Sequence, residues 1–157
     1  MTSNGKKLLL FDIDGTLISA GGAGTRSMNL AFESLFGIRD AFSGISMAGK
    51  TDPEIMKEGL KRHGFPFLDG NLTKMREQYL RFLAAEINNP LRCLKPGVRE
   101  ALDALGRREA PLGLLTGNLE EGAEIKLSAV GIYRRFIDGA FGSDDEDRDN
   151  LLPIAVA

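Results

Sequence analysis

The sequence predicts an α/β fold: a parallel sheet with helices packed on it and a helical block inserted after the first strand. Three observations carry this. The apolar run Leu8-Leu9-Leu10-Phe11 does not alternate with polar residues, as suits a strand buried on both faces. A second short apolar run, Pro111 to Leu115, lies between two helical patterns, and such alternation implies parallel strands joined by right-handed crossovers. Between the two runs, residues 20–92 carry helical signals only.

In chain order, residues 8–13 read as the first strand. Ala20-Gly21-Gly22-Ala23-Gly24 is small and flexible, which predicts a linker or hinge. Met28, Ala31, Phe32, Leu35 and Phe36 recur at three and four, and Gly37 closes that helix. Thr51-Asp52-Pro53-Glu54 is a helix start, with a capping side chain and Pro in the first turn. That helix ends at Gly64. A third helix carries Leu72, Met75, Tyr79, Phe82, Leu83 and Ile87 on one stripe and stops at Pro90. Beyond it, Val98 to Arg107 is a helix with Ala101, Leu102 and Leu105 inward. Pro111 to Leu115 is the second strand and Leu119 to Val130 a helix ended by Gly131. Ile137 to Phe141 reads as a third strand, and Arg148 to Ala157 opens a last helix. The division that follows is a discontinuous α/β core, residues 1–19 and 93–157, with a helical cap at 20–92.

Composition narrows the function. The chain has 157 residues, room for one core with a modest elaboration. It is 43% hydrophobic and 27% charged, ordinary for a soluble globular protein. A net charge of -2 and a pI near 5.5 give no reason to expect nucleic acid or an anionic membrane as partner. The single cysteine, Cys93, reads as a small buried or half-buried residue in a reducing compartment. No apolar run reaches bilayer length, and Met1 to Lys7 is polar rather than signal-like. A cytoplasmic protein is the expectation. Oligomeric state is not legible from sequence.

The candidate site begins where the first strand ends. Asp12 and Asp14 are two apart, so on an extended segment they point the same way. In open α/β sheets ligands bind beyond the carboxyl ends of the strands, so Thr116, ending the second strand, should face the same crevice. Two close carboxylates repel unless a cation or a shared proton compensates, and a hard divalent ion such as Mg²⁺ suits an oxygen site open to phosphate. Gly15 permits a tight turn and close approach of an anion. Spacing alone leaves a second reading open, a strand end closed by turn-forming Asp and Gly with Thr16 as a helix cap.

Asp12-Ile13-Asp14-Gly15-Thr16-Leu17 after an apolar strand resembles the first motif of the haloacid dehalogenase (HAD) superfamily. Leu114-Leu115-Thr116-Gly117-Asn118 resembles its second motif, and Lys95-Pro96-Gly97-Val98 the re-entry from a helical cap into the core. The resemblance covers essentially the whole chain and is nearest in layout to phosphoglycolate-phosphatase-like hydrolases. It implies a Rossmann-like core and a Mg²⁺-dependent phosphatase acting on a small phosphorylated metabolite. Asp12 would be the nucleophile that forms an aspartyl-phosphate, and Asp14 the acid and base. Mg²⁺ would be held by Asp12 and the Asp14 carbonyl. Thr116 and the N–H groups of Gly117 and Asn118 would hold phosphate oxygens. An acid at position 14 favours phosphoryl transfer over dehalogenation, and an acceptor on the first strand differs from a response-regulator receiver.

Lys126 falls inside the apolar stripe Leu119, Ala123, Leu127 and Val130, which suits the third-motif lysine that clamps nucleophile and phosphate. A snorkelling lysine at the stripe's margin is the other reading. The fourth motif is not found. Phe141-Gly142-Ser143-Asp144-Asp145-Glu146-Asp147 offers acids, but only one helix separates it from the second motif, so it reads as a solvated loop after the third strand. On that reading the core is incomplete at its C-terminus, the edge of strand one is exposed, and the chain is a fragment or a longer protein given only to residue 157. A true length of 157 predicts weak metal binding and poor turnover. Two alternative functions stand beside the phosphatase: a phosphosugar mutase similar to beta-phosphoglucomutase, and a catalytically inert fold that binds a phosphorylated ligand or a partner. His63 reads as a helix-end histidine, and Met47, Lys50 and Thr51 as candidate substrate selectors.

Overall fold

The computed structural model describes residues 7–157, so the polar opening up to Lys6 lies outside the described residues. Strand β1 (Leu9–Phe11) pairs in parallel with β4 (Leu112–Leu115), which pairs in parallel with β5 (Asp138–Ala140), giving the order β1-β4-β5. Leu9 lies opposite Leu112, and Gly113 opposite both Leu10 and Asp138. The third strand therefore sits on the far side of β4 from β1. Among the described residues β1 has no second neighbour.

Helix α4 (Val98–Arg107) connects into β4, and α5 (Glu120–Ser128) leaves it. On α4 Leu102 is buried and Leu105 packs partly against the same core, whereas Ala101, expected inward, is exposed because it lies off the side of the helix that faces the sheet. Leu102, Leu112, Leu114, Ala123, Leu127 and Ile132 form one apolar cluster with Ile13, Leu17 and Ile18. Each leucine or isoleucine among them, fully buried, contributes about 1.5–3 kcal/mol of transfer free energy. The acidic segment Asp144–Asp147 forms turns, as a solvated loop does, and Asp147 caps a 3₁₀ turn at Arg148–Asn150 before the short helix α6 (Leu151–Ala155).

A second cluster lies in three helices between the strands: α1 (Ala23–Phe36), α2 (Asp52–Arg62) and α3 (Asp69–Glu86). Its centre is Phe32, edge-on to Phe42 at 5.6 Å and 88°, with Tyr79, Leu83 and Leu60 around it. The helix signals hold in detail. Gly37 caps α1 at φ 70°, with its N–H donating to the Glu33 carbonyl at 2.8 Å. The Thr51 hydroxyl accepts from the Glu54 N–H at 3.3 Å, and Pro53 lies in the first turn of α2.

Four further sequence expectations need correction. Ala20 to Gly24 is not one flexible linker. Ala20 ends a strand, β2 (Ile18–Ala20), Ala23 already starts α1, and Gly21-Gly22, both at positive φ, make the turn between. The reason is pairing at long range. β2 meets β3 (Arg92–Leu94) antiparallel, Ser19 opposite Cys93, so the chain leaves and re-enters the core through one two-stranded ribbon. Cys93 is consequently exposed, because that ribbon lies at the surface. His63 does not serve the last carbonyls of α2 with its ring, which lies against Phe32 and hydrogen-bonds the Ala41 carbonyl at 2.9 Å. The first strand is shorter than residues 8–13, since Ile13 turns inward to anchor the bend at Asp12–Asp14.

Phe32→Ala should lower the unfolding free energy by about 3–5 kcal/mol in urea titration, with a retained cooperative transition.

Candidate active site

Parallel pairing of β1 and β4 sets both strand ends on one edge, and the chain continues from each into a loop. The loop after β1 is a tight turn. The N–H groups of Thr16, Leu17 and Ile18 converge on the Ile13 carbonyl at 3.2, 2.9 and 3.2 Å. That leaves the Asp14 carbonyl out of the turn's hydrogen bonds, and the Gly15 N–H donates instead to Ile18 at 2.9 Å. Gly15 takes φ 80°, which a side chain would resist. Asp12 and Asp14 stand at the mouth of this turn, their side chains 37% and 46% exposed.

All the sequence-predicted residues, Asp12, Asp14, Thr116, Gly117, Asn118 and Lys126, line a single cleft of about 550 Å³. The opposite wall comes from the helical block, with Met28, Met47, Lys50, Ile55 and Tyr79. Of the suggested selectors, Met47 and Lys50 line the cleft. Thr51 is fully buried beside it. Lys50 pairs with Glu58.

Asp14 and Lys126 are joined. The Lys126 ammonium donates to Asp14 Oδ2 at 2.8 Å and to Asn118 Oδ1 at 2.6 Å. Asn118 Nδ2 donates to the same Asp14 oxygen at 2.8 Å and to Thr116 Oγ1 at 2.7 Å. The amide orientation is fixed by its partners, since an ammonium only donates and a carboxylate only accepts. Lys126 is 4% exposed, so its charge is nearly withdrawn from water. Burial works to raise the Asp14 carboxyl, but attraction to Lys126 and the hydrogen bonds from Lys126 and Asn118 prevail and hold it below its ordinary value. Asp14 Oδ1 stays clear of this clamp.

Asp12 meets a different cation. Its Oδ1 accepts from the Ile13 N–H at 2.9 Å, and its Oδ2 lies 3.2 Å from the Arg148 guanidinium. Lys126 thus touches the second aspartate, and the cation on the first is an arginine that sequence reading passed over. The signal was present: Arg148 is the basic residue just past the acidic run that follows the third strand. It was read only as the opening of a helix.

A third carboxylate was also missed. Asp52 comes from the helical block, is 8% exposed, and accepts from the Leu119 N–H at 3.0 Å. Burial raises its carboxyl against the pull of Lys126 and the Leu119 N–H. The Tyr79 phenol is pushed well up, first by burial and then by Asp52 and Asp14. In the second loop, Thr116 Oγ1 accepts from both the N–H and the amide of Asn118. The Asn118 N–H is therefore engaged, and the Gly117 N–H makes no hydrogen bond among the described residues.

Lys126→Met should lower the unfolding free energy by about 3 kcal/mol in urea titration, because Asp14 and Asp52 would lose the charge between them.

A family model described as hydrolase, haloacid dehalogenase-like hydrolase, matches residues 6–157. The comparison with curated protein sequences found no match. Among solved structures, CbbY from Rhodobacter sphaeroides in complex with phosphate is similar at a TM-score of 0.77 and 18% identity, with 95% of this chain and 70% of that chain covered. A predicted phosphoglycolate phosphatase from Haemophilus somnus gives 0.62 and 19%, over 90% of this chain and 64% of that one. YfnB from Bacillus subtilis, bound to magnesium, gives 0.54 and 18%, over 94% and 72%. At such identities the likeness is one of fold, and this chain spans roughly two thirds of the length of these neighbours. With the family model matching nearly the whole sequence, the chain belongs to the haloacid dehalogenase-like hydrolases.

Proposed function

We propose that the protein is a Mg²⁺-dependent phosphatase that hydrolyses a small phosphorylated metabolite through an aspartyl-phosphate on Asp12. Residues 1–19 and 93–157 act as the catalytic core and 20–92 as a cap over the cleft. One observation carries the reading: two carboxylates at a single strand end, each held by a different cation, Asp12 by Arg148 and Asp14 by Lys126. A turn that merely closed a strand would have no use for that division. The neighbours whose structures contain phosphate or magnesium share this fold and support the reading by analogy.

The metal suits the donors at hand. The Asp12 carboxylate and the Asp14 carbonyl, left out of the turn's hydrogen bonds, are hard oxygen ligands for Mg²⁺. Among the described residues no cluster of three acidic, histidine or cysteine side chains gathers there, so water and substrate oxygens would complete the shell. Bound there, Mg²⁺ would offset the negative charge of the carboxylate and the phosphoryl group.

The side chains then divide the work. Asp12 attacks phosphorus as the bond to the leaving oxygen breaks, and Asp14 delivers a proton to that oxygen. Asp14, deprotonated, takes a proton from water, whose oxygen attacks the aspartyl-phosphate and returns Asp12 with inorganic phosphate. Lys126 and Asn118 hold one Asp14 oxygen, which leaves the other to face substrate. They also favour its ionised form, and an incoming phosphate dianion counters them by raising the carboxyl's proton affinity. Arg148 steadies Asp12 and can share its fork with phosphoryl oxygens. The Gly117 N–H and the Thr116 hydroxyl are donors for the same oxygens. Cap residues Met28, Met47 and Ile55 give the substrate an apolar wall.

An aryl phosphate incubated with the protein and Mg²⁺ should release phosphate, with release lost on chelation and in Asp12→Asn. No release from the folded protein would overturn the enzyme reading. Asp14→Asn should lower kcat by about 10²–10⁴ on an alkyl phosphate, and much less on an aryl phosphate whose leaving oxygen needs no proton.

A further inference from the structure

Three chain segments pack together at the loop after β4. Residues 50–52 of the cap lie against residues 116–118, which lie against residues 141–143. The contacts leave no room for side chains at two points. A Cβ on Gly117 would stand 2.3 Å from the Lys50 carbonyl oxygen and 3.0 Å from Thr51 Cα. A Cβ on Gly142 would stand 2.2 Å from the Gly117 carbonyl oxygen and 3.1 Å from Thr51 Cβ. The nearest of these neighbours are backbone atoms, which cannot swing aside as a side-chain tip can.

Hydrogen bonds bind the same three segments. The Asp52 N–H donates to the Gly117 carbonyl at 2.7 Å, and the Leu119 N–H donates to the Asp52 carboxylate at 3.0 Å, so one cap residue grips the loop from both ends. The Gly142 N–H donates to the Asn118 carbonyl at 2.8 Å. The Thr51 hydroxyl donates to the Glu146 carbonyl at 2.7 Å, and Lys57 pairs with the Glu146 side chain. Two residues beyond Glu146 is Arg148, the cation on Asp12.

We infer that the cap segment Lys50 to Lys57 is part of the catalytic assembly, with Asp52 and Thr51 as positioning residues. Asp52 sets the Thr116–Asn118 loop that would receive phosphate, and Thr51 with Lys57 sets the segment that delivers Arg148 to Asp12. The arrangement of both core segments is thus coupled to this one stretch of the helical block through the contacts of Asp52, Thr51 and Lys57. This inference rests on the phosphate-handling reading of the loop, but the contacts themselves can be tested without it.

The experiment follows amide hydrogen exchange, inorganic phosphate affinity in Mg²⁺, and melting temperature in the wild type, Asp52→Ala, Asp52→Asn, Thr51→Val and Thr51→Ser. Asp52→Ala should speed exchange at Asn118 and Leu119 and weaken phosphate about tenfold, as loss of an outer-shell partner does. Asp52→Asn, which still offers an oxygen to the Leu119 N–H, should recover part of both. Thr51→Val should speed exchange across residues 142–148 and weaken phosphate, and Thr51→Ser, which keeps the hydroxyl, should restore it. If exchange and phosphate affinity stay at wild-type values in these variants, or if all changes merely track melting temperature, the inference is overturned. Should one aspartate variant fail to fold, the threonine pair decides. A wild type without phosphate affinity would overturn the phosphatase reading, while loop-specific exchange changes would still uphold the positioning role.

Discussion

Lys126 carries an ammonium almost removed from water, and three side chains depend on it. Asp14 and Asn118 take its hydrogen bonds directly, and the buried Asp52 carboxylate draws on its charge. Burying a cation is costly unless its partners surround it, and here the partners come from three different elements. One is a turn after β1, one a loop after β4, and one the start of α2. The fold must bring those elements together before the charge can be tolerated, so the ion cluster acts as a check on correct assembly as well as a feature of the site.

The second dependence is on the parallel sheet. Because β1, β4 and β5 run the same way, the loops at their ends emerge on one side, and each contributes a different chemical type. The first gives carboxylates, the second a hydroxyl, an amide and N–H groups, and the third a guanidinium on the segment beyond β5. No single loop holds a complete set. The oxygen of Asp12 that faces Arg148 and the oxygen of Asp14 that faces Lys126 are thereby differentiated by the topology of the sheet rather than by their neighbours in sequence.

What was legible in the sequence follows from the range of the interaction involved. Caps and periodicity are local, so Gly37, Thr51 and the helix Val98–Arg107 could be read directly. That the strands run parallel followed from their alternation with helices. The ribbon β2–β3 was not legible. Each strand has three residues, and the pairing joins positions on either side of the whole helical block. In the site, Asp12, Asp14 and Thr116 could be placed because strand ends are legible. Lys126 could be placed on an inward face by periodicity, but its partner could not. Arg148 and Asp52 stayed hidden for opposite reasons. Arg148 reaches the cleft through the path of an irregular loop, which sequence does not give. Asp52 stands in the first turn of a helix, where an acid is ordinarily solvated, and only packing against α5 buries it.

The ribbon formed by Ile18–Ala20 and Arg92–Leu94 has a mechanical meaning of its own. Two chain crossings that stand side by side, Ser19 opposite Cys93, behave as one pivot rather than two. Adjacent strands lie about 4.8 Å apart, so the block above them has a short lever at its root and a long one at its tip. A rotation of a few degrees about this pivot leaves β2 and β3 paired, yet carries the far end of α2 through a much larger arc. The helical block is therefore tied to the core at one root, the ribbon, and again at the Asp52 and Thr51 contacts, two attachments at separate points of the same block.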